Sequence, residues 1–294
     1  MLLLHLLLQA ACAQAPATAT PFAPELADSA RLYRGTFSPD GRTLYYFLKV
    51  TPRQEDYRIY VSHRGEGGWA KGERIDLGGD FSDLYPSVTS DGQRMVFASY
   101  RPAPGDTSSH PNAYLWYSDR RGDSWGPPVF IGSAARWSYY HSGPIISDDR
   151  SIRFGRTTPD YRSSITMEVH WNGREYGPAT EVADDPAAPW RSWRKETHYV
   201  WGGQWSPRRD FVLFDVSELD ARGRRRASDV WVSIRRGEGW TEPVPAGGDI
   251  NHEGYENFVV FHPDGCTLVF VRNFTSFQQV SIEAALVPAR RSPQ

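Results

Sequence analysis

Cysteine is nearly missing from this chain: 294 residues hold two, Cys12 and Cys266. Cys12 falls inside what reads as an N-terminal export leader, so its removal would leave one thiol and no intramolecular disulfide. A dominant charge sign is missing as well. Lys and Arg number 33 and Asp and Glu 35, a formal net charge of −2, which offers no field to draw in nucleic acid or an anionic membrane, so neither is expected as a partner. The dense basic cluster Arg222, Arg224, Arg225 and Arg226 reads as a solvated hairpin tip. Helical heptads are absent, and beyond the first residues no apolar run could span a bilayer, so the mature chain should have no transmembrane helix. Nucleophile motifs, phosphate loops and compact zinc spacings are absent too, and no cofactor or metal is expected.

What the chain does have is aromatic residues and turn formers. Eleven Trp, 15 Tyr and 14 Phe stand beside 26 Gly and 22 Pro, a balance that suits many short strands. One phrase recurs five times: Phe37-Ser38-Pro39-Asp40-Gly41, Thr89-Ser90-Asp91-Gly92, Ile146-Ser147-Asp148-Asp149, Trp205-Ser206-Pro207-Arg208-Arg209 and Phe261-His262-Pro263-Asp264-Gly265, each before an apolar run. A period of about 55 residues signals a propeller or solenoid. Asp-Gly between apolar runs marks a hairpin, because Gly takes positive φ freely and Asp bonds the backbone beyond it. Asp40, Asp91, Asp148 and Asp264 are therefore read as turn residues, and Arg208-Arg209 should give the fourth unit a different hairpin.

A third strand carries its own signature, Ile59-Tyr60-Val61-Ser62, Leu115-Trp116-Tyr117-Ser118 and Val230-Trp231-Val232-Ser233, with Trp69, Trp125 and Trp240 following. Proline beyond these positions suits a peripheral fourth strand. A lone sheet of this kind cannot bury both apolar faces, whereas sheets packed radially can. The expected fold is all-β: a single β-propeller of five four-stranded blades, favoured over six-bladed closure. Its blades should span about 31–78, 79–132, 133–183, 196–247 and 251–288 of a domain at 31–290. Residues 14–30 form a linker, and the last outer strand comes from around 22–26, closing the ring, or from 284–288.

Residues 1–13 read as a signal peptide: positions 2–8 are apolar apart from His5, and Ala11-Cys12-Ala13 supplies the small residues. Cleavage after Ala13 is favoured over Ala15, which Pro16 follows directly. A lipid anchor on Cys12 is the alternative, although Gln9 stands where such boxes carry an aliphatic residue. A periplasmic or secreted location is expected ahead of a membrane-anchored lipoprotein.

The Phe37–Gly41 and Phe261–Gly265 phrases, with Ile59–Ser62 and Val230–Ser233, resemble the Pro-Asp-containing WD40-like repeat of TolB-like β-propellers. The likeness runs over about residues 31 to 283. It implies binding of proteins or other envelope components without chemistry. The chain departs from TolB in showing five units, and its few preceding residues leave no room for an additional N-terminal domain.

In a propeller the connections between blades share one rim with the loops joining second and third strands, and loops on a rigid scaffold commonly carry binding groups. The candidates there are Tyr85, Arg136, Trp137, Tyr140, His141, Trp190, Trp193, Arg194, His198, His252, Tyr255 and Glu256. Trp and Arg anchor interfaces most often, so the expected partner is a protein or an envelope glycan. A carbohydrate-active enzyme is the alternative, with Glu256 and Glu196 as carboxylates beside His141 or His198. A purely structural assembly unit is a third reading.

Overall fold

The computed structural model describes residues 12, 14–26, 31–51, 56–107, 113–132, 143–157, 164–182, 196–206 and 208–291. The chain is an all-β protein, a β-propeller of five four-stranded blades, with one C-terminal α-helix among the described residues. Two compact units carry the blades: Ser29–Ala188 holds the first three, and Met1–Asp28 with Pro189–Gln294 holds the last two.

In the three-blade unit, the first sheet runs Arg31–Phe37, Thr43–Lys49, Tyr57–Gly65, then an outer strand split into Gly68–Trp69 and Glu73–Arg74. The second repeats this with Asp83–Val88, Arg94–Ser99, Tyr114–Arg121 and the pieces Ser124–Trp125 and Val129–Phe130. The third is Ile145–Ile146, Ile152–Thr157, Ser164–Val169 and Thr180–Glu181. Phe47, Phe97 and Phe154, all from second strands, are fully buried in one continuous core. In the other unit, the fourth blade is His198–Trp205, Phe211–Leu219, Arg225–Arg236, then Gly239–Trp240 and Val244–Pro245. The fifth is Glu256–Phe261, Thr267–Arg272, Ser276–Ser281 and, outermost, Thr20–Phe22. Residues 284–288 lie instead in the helix Ile282–Arg291.

The recurring phrase folds into one backbone turn in all five blades. The amides of Ser38, Thr89, Ser147, Ser206 and His262 each donate back across the hairpin, and the residue three further on donates to the same anchor's carbonyl. That residue has positive φ whether it is Gly41, Gly92 and Gly265 or Arg150 and Arg209 (φ 65° and 53°). The fourth hairpin, expected to differ, keeps the backbone and changes only the capping side chain, to Asp210, which accepts from Ser206 Oγ. The anchor of the second blade is Thr89. In the third blade the cap is Asp149 rather than the expected Asp148, two residues past the anchor as Asp40 and Asp91 are, and the return to the second strand is one residue shorter. Asp149 accepts from the amide and hydroxyl of Ser151 (2.9 and 2.7 Å), while Asp148 accepts from the amide of Ser90 in the neighbouring blade at 3.0 Å.

The Ser…Trp spacing of the third strands has a physical cause. Ser62, Ser118 and Ser233 are buried, and each hydroxyl donates at 2.6 Å to the carbonyl eight residues on, of Ala70, Gly126 and Thr241. The pin fixes the tight return that carries Trp69, Trp125 or Trp240. Between the second and third blades, Arg94 (3% exposed) pairs with Asp119 through Nε and Nη2. Its guanidinium lies 4.0 Å from the Tyr117 ring and 4.3 Å from Trp171, a desolvated cation–π contact with two rings that meet edge to face.

The N-terminal strand is docked by more than its ladder. Ser281 donates to the Pro16 carbonyl and Ala19 to Gly248, both at 2.7 Å, and Phe22, Ala23 and Leu26 are buried. Cys12 is disulfide-bonded to Cys266. The bond belongs to the full chain with its leader, whereas the expectation of no intramolecular disulfide concerns the chain once the leader is removed.

Candidate functional site

The entry to the fifth blade, residues 251–256, is built as a clamp. Asn251 both donates to the Val230 carbonyl (2.9 Å) and accepts from its amide (2.8 Å), so the connection lies against the third strand of the fourth blade. Ser228 donates to the Gly254 carbonyl, and Tyr255 exchanges bonds with Asn273, whose Oδ1 takes the Tyr255 amide at 2.9 Å while its own amide donates to the Tyr255 carbonyl at 2.7 Å. Tyr255 stays half-buried against Phe274, ring centroids 5.4 Å apart, and His252 is exposed.

Glu256 begins the inner strand and is 0% exposed. Its Oε1 accepts from Arg272 Nε at 3.1 Å and its Oε2 from the His252 amide at 3.2 Å. Arg272 also donates to the carbonyls of Asp249 and Ile250 (2.9 and 2.8 Å). A buried carboxylate must be paired and hydrogen-bonded, and Glu256 meets this requirement by tying the loop to the second strand. Three residues nearby were not singled out in the sequence, Asp215, Glu218 and Asp229, and a fourth, Arg225, was read there as part of a solvated hairpin tip but is half-buried. Asp215 Oδ2 accepts from the amide of Phe258 (2.9 Å), holding a residue with φ 58° at a β-bulge. Burial raises the Asp229 carboxyl, and the negative charges of Glu256 and Glu218 add to the effect. The Arg225 guanidinium lies 4.3 Å from the rings of both Tyr199 and Trp201. A bulge in the inner strand and a charged position in the strand signature, Asp229 just before Val230, are the signals that could have found them.

His198 contacts Thr197 through Nδ1 (2.8 Å) and meets the Trp231 ring edge-on at 6.1 Å; Glu196 is exposed. In the three-blade unit, Tyr85 (φ 56°) wedges its ring 4.7 Å from Phe47, and a Cβ at Gly143 would come within 2.4 Å of it, so Tyr85 packs between blades. The neighbouring rim acid Asp83 makes a buried pair with Arg101 (3.1 Å to each carboxylate oxygen); burial pushes its carboxyl up, against the pull of Arg101. Arg136, Trp137, Tyr140, His141, Trp190, Trp193 and Arg194 lie outside the described residues. No group of three or more potential metal ligands occurs among the described residues, and no described helix is long and apolar enough to cross a membrane.

No protein-family profile matches the chain, and no curated protein matches it. Solved structures do. A protein solved as an RGII complex aligns over 93% of this chain and 93% of its own length at 10% identity, with a TM-score of 0.55. A protein described as a glycoside hydrolase aligns over 93% and 94% at 11% identity, with a TM-score of 0.53. A candidate TolB from Agrobacterium tumefaciens aligns over 83% and 70% at 14% identity, with a TM-score of 0.45. Identities this low show a shared fold alone, the β-propeller.

Proposed function

We propose that the chain is an exported, non-catalytic binding module of the TolB-like, WD40-like propeller-repeat kind, which holds a protein or cell-envelope component at its loop-rich rim, in the periplasm or outside the cell. The observation that carries this reading is the state of Glu256. The carboxylate with the strongest claim to chemistry is sealed from solvent and bonded on both oxygens, so it cannot reach a substrate without dismantling the loop. What the clamp leaves at the surface is an exposed His252 and Glu253 and a half-buried Tyr255 on a fixed backbone, a rigid frame bearing side chains suited to recognition.

The test is a quantitative pull-down from envelope extract with wild type and the Tyr255→Ala/His252→Ala double variant, folding checked by Tm. A discrete partner recovered by wild type and reduced at least tenfold by the variant is expected. Equal recovery by both proteins removes the rim from binding. Turnover of any member of a broad glycan panel, abolished in a folded Glu256→Gln protein, would replace the binding reading with the enzymatic one.

A further inference from the structure

A second polar cleft lies away from the rim, on the flank where the first blade meets the second, within the three-blade unit. Its volume is about 230 Å³. The floor is the face of the first sheet: Tyr45 and Val61, directly paired across the ladder, with Ile75 beyond them. One wall is the outer return of the second blade, where Arg120 and Trp125 face each other. The Tyr45 and Trp125 rings meet edge to face at 6.2 Å, and the Arg120 guanidinium lies 5.6 Å from the Trp125 centroid. His63, Glu73, Arg74, Asp76 and Asp123 complete the mouth.

The partners of these groups separate them into two sets. His63 contacts Thr43 (3.1 Å), Arg74 approaches Asp80 (3.5 Å), Arg120 donates from Nε to the Gly122 carbonyl (3.1 Å), and Asp76 accepts from the Gly78 amide (2.9 Å). The carboxylates of Glu73 and Asp123 have no hydrogen-bond or ionic partner among the described residues, although two guanidiniums line the same cleft. Acceptor-only carboxylates and donor-only guanidiniums, set apart around an aromatic wall, are satisfied together by a ligand whose groups both give and take hydrogen bonds. Hydroxyls do both, and a ring of axial C–H bonds suits the face of Trp. A cavity of about 150 Å³ accepts benzene, so this open cleft of about 230 Å³ has room for one substituted six-membered ring.

The geometry points to a saccharide subsite here, taking a single pyranose unit against Trp125 with its hydroxyls shared among the carboxylates of Glu73 and Asp123 and the guanidiniums of Arg74 and Arg120. This site is independent of the rim and stands whether or not the rim reading holds.

Ligand-observed NMR titration of the full chain at pH 7 tests it. The probes are the methyl pyranosides of glucose, galactose, mannose and N-acetylglucosamine, with n-butylammonium as the comparator. At least one pyranoside should bind in the millimolar range. Trp125→Ala should weaken it at least tenfold, as should Glu73→Ala/Asp123→Ala, whose exposed side chains leave Tm unchanged and so separate binding from folding. Tyr255→Ala at the rim should leave it untouched. No response to any pyranoside, a response to n-butylammonium alone, or binding that survives the carboxylate variant overturns the assignment.

Discussion

Asp264 accepts from the amides of Cys266 and Thr267 and from the Thr267 hydroxyl, and with His262 beside it these bonds outweigh partial burial and hold its carboxyl well below the ordinary 3.8. Asp40, Asp91 and Asp149 are lowered chiefly by a hydroxyl and an amide of their own turns. A depressed folded pKa means stability that is complete above the unfolded value and lost as pH falls through that range. The turn aspartates should therefore make Tm fall below about pH 4, while the raised carboxyls of Asp83 and Asp229 work in the opposite sense and add stability as pH falls toward that range. Asp264→Ala should cost about 1 kcal/mol, as loss of a cap does, and flatten the acid limb; an unchanged limb would show that the turns do not govern acid lability. Glu256 behaves differently, because its removal leaves Arg272 facing an empty pocket. Glu256→Ala should cost about 3–5 kcal/mol in denaturant unfolding, whereas a loss under about 0.5 kcal/mol would mark a surface position. Asp40, Asp91 and Asp264 were legible from sequence because their bonds close within three residues, whereas Asp148, read with them, accepts from the neighbouring blade and leaves its own turn to Asp149. The role of Glu256 was not, since its partner Arg272 is 16 residues away on another strand. Only a register could bring the two together.

At the scale of elements, the strand Thr20–Phe22 is three residues long, too short for any periodicity, and the split outer strands are shorter still. Ladder pairing to Ser276–Ser281 and burial of Phe22 and Leu26 give it a stabilising role that its sequence barely announces. Deleting residues 14–26 should lower stability by at least the about 1.5–3 kcal/mol expected for each large apolar side chain returned to water, read as a fall in Tm; an unaltered Tm would show the segment to be dispensable. The Ser…Trp signature was plain in the sequence, but its cause, a hydroxyl pinning a carbonyl eight residues on, needed the sheet. Ser118→Ala should cost about 1–3 kcal/mol, because it leaves the Gly126 carbonyl without its donor. The five hairpins show the opposite balance. Arg209 at positive φ kept the turn where side-chain chemistry argued for another, since the flanking ladders impose the backbone and tolerate the strain.

For the whole molecule, the repeat period, alternating strands and closing turns made a propeller readable from sequence, while the candidate site was legible only as a set of loops. The Cys12–Cys266 bond lay beyond that reading. It links positions 254 apart in sequence, and constraints on so long a loop contribute about 2–5 kcal/mol. Reduction, or Cys266→Ser, should lower the denaturation midpoint of the full chain accordingly; identical midpoints would mean that the bond is not formed. The claim on which the functional account rests is that one end of the inner strand Glu256–Phe261 recognises a partner while the other end, its Asp264 turn, only holds the fold. Hydrogen exchange of the full chain, alone and with the partner recovered from envelope extract, tests this most directly. Slowed exchange over residues 249–257 with no change over 262–267 is the predicted result, and protection confined to 262–267, or found at neither end, would contradict it.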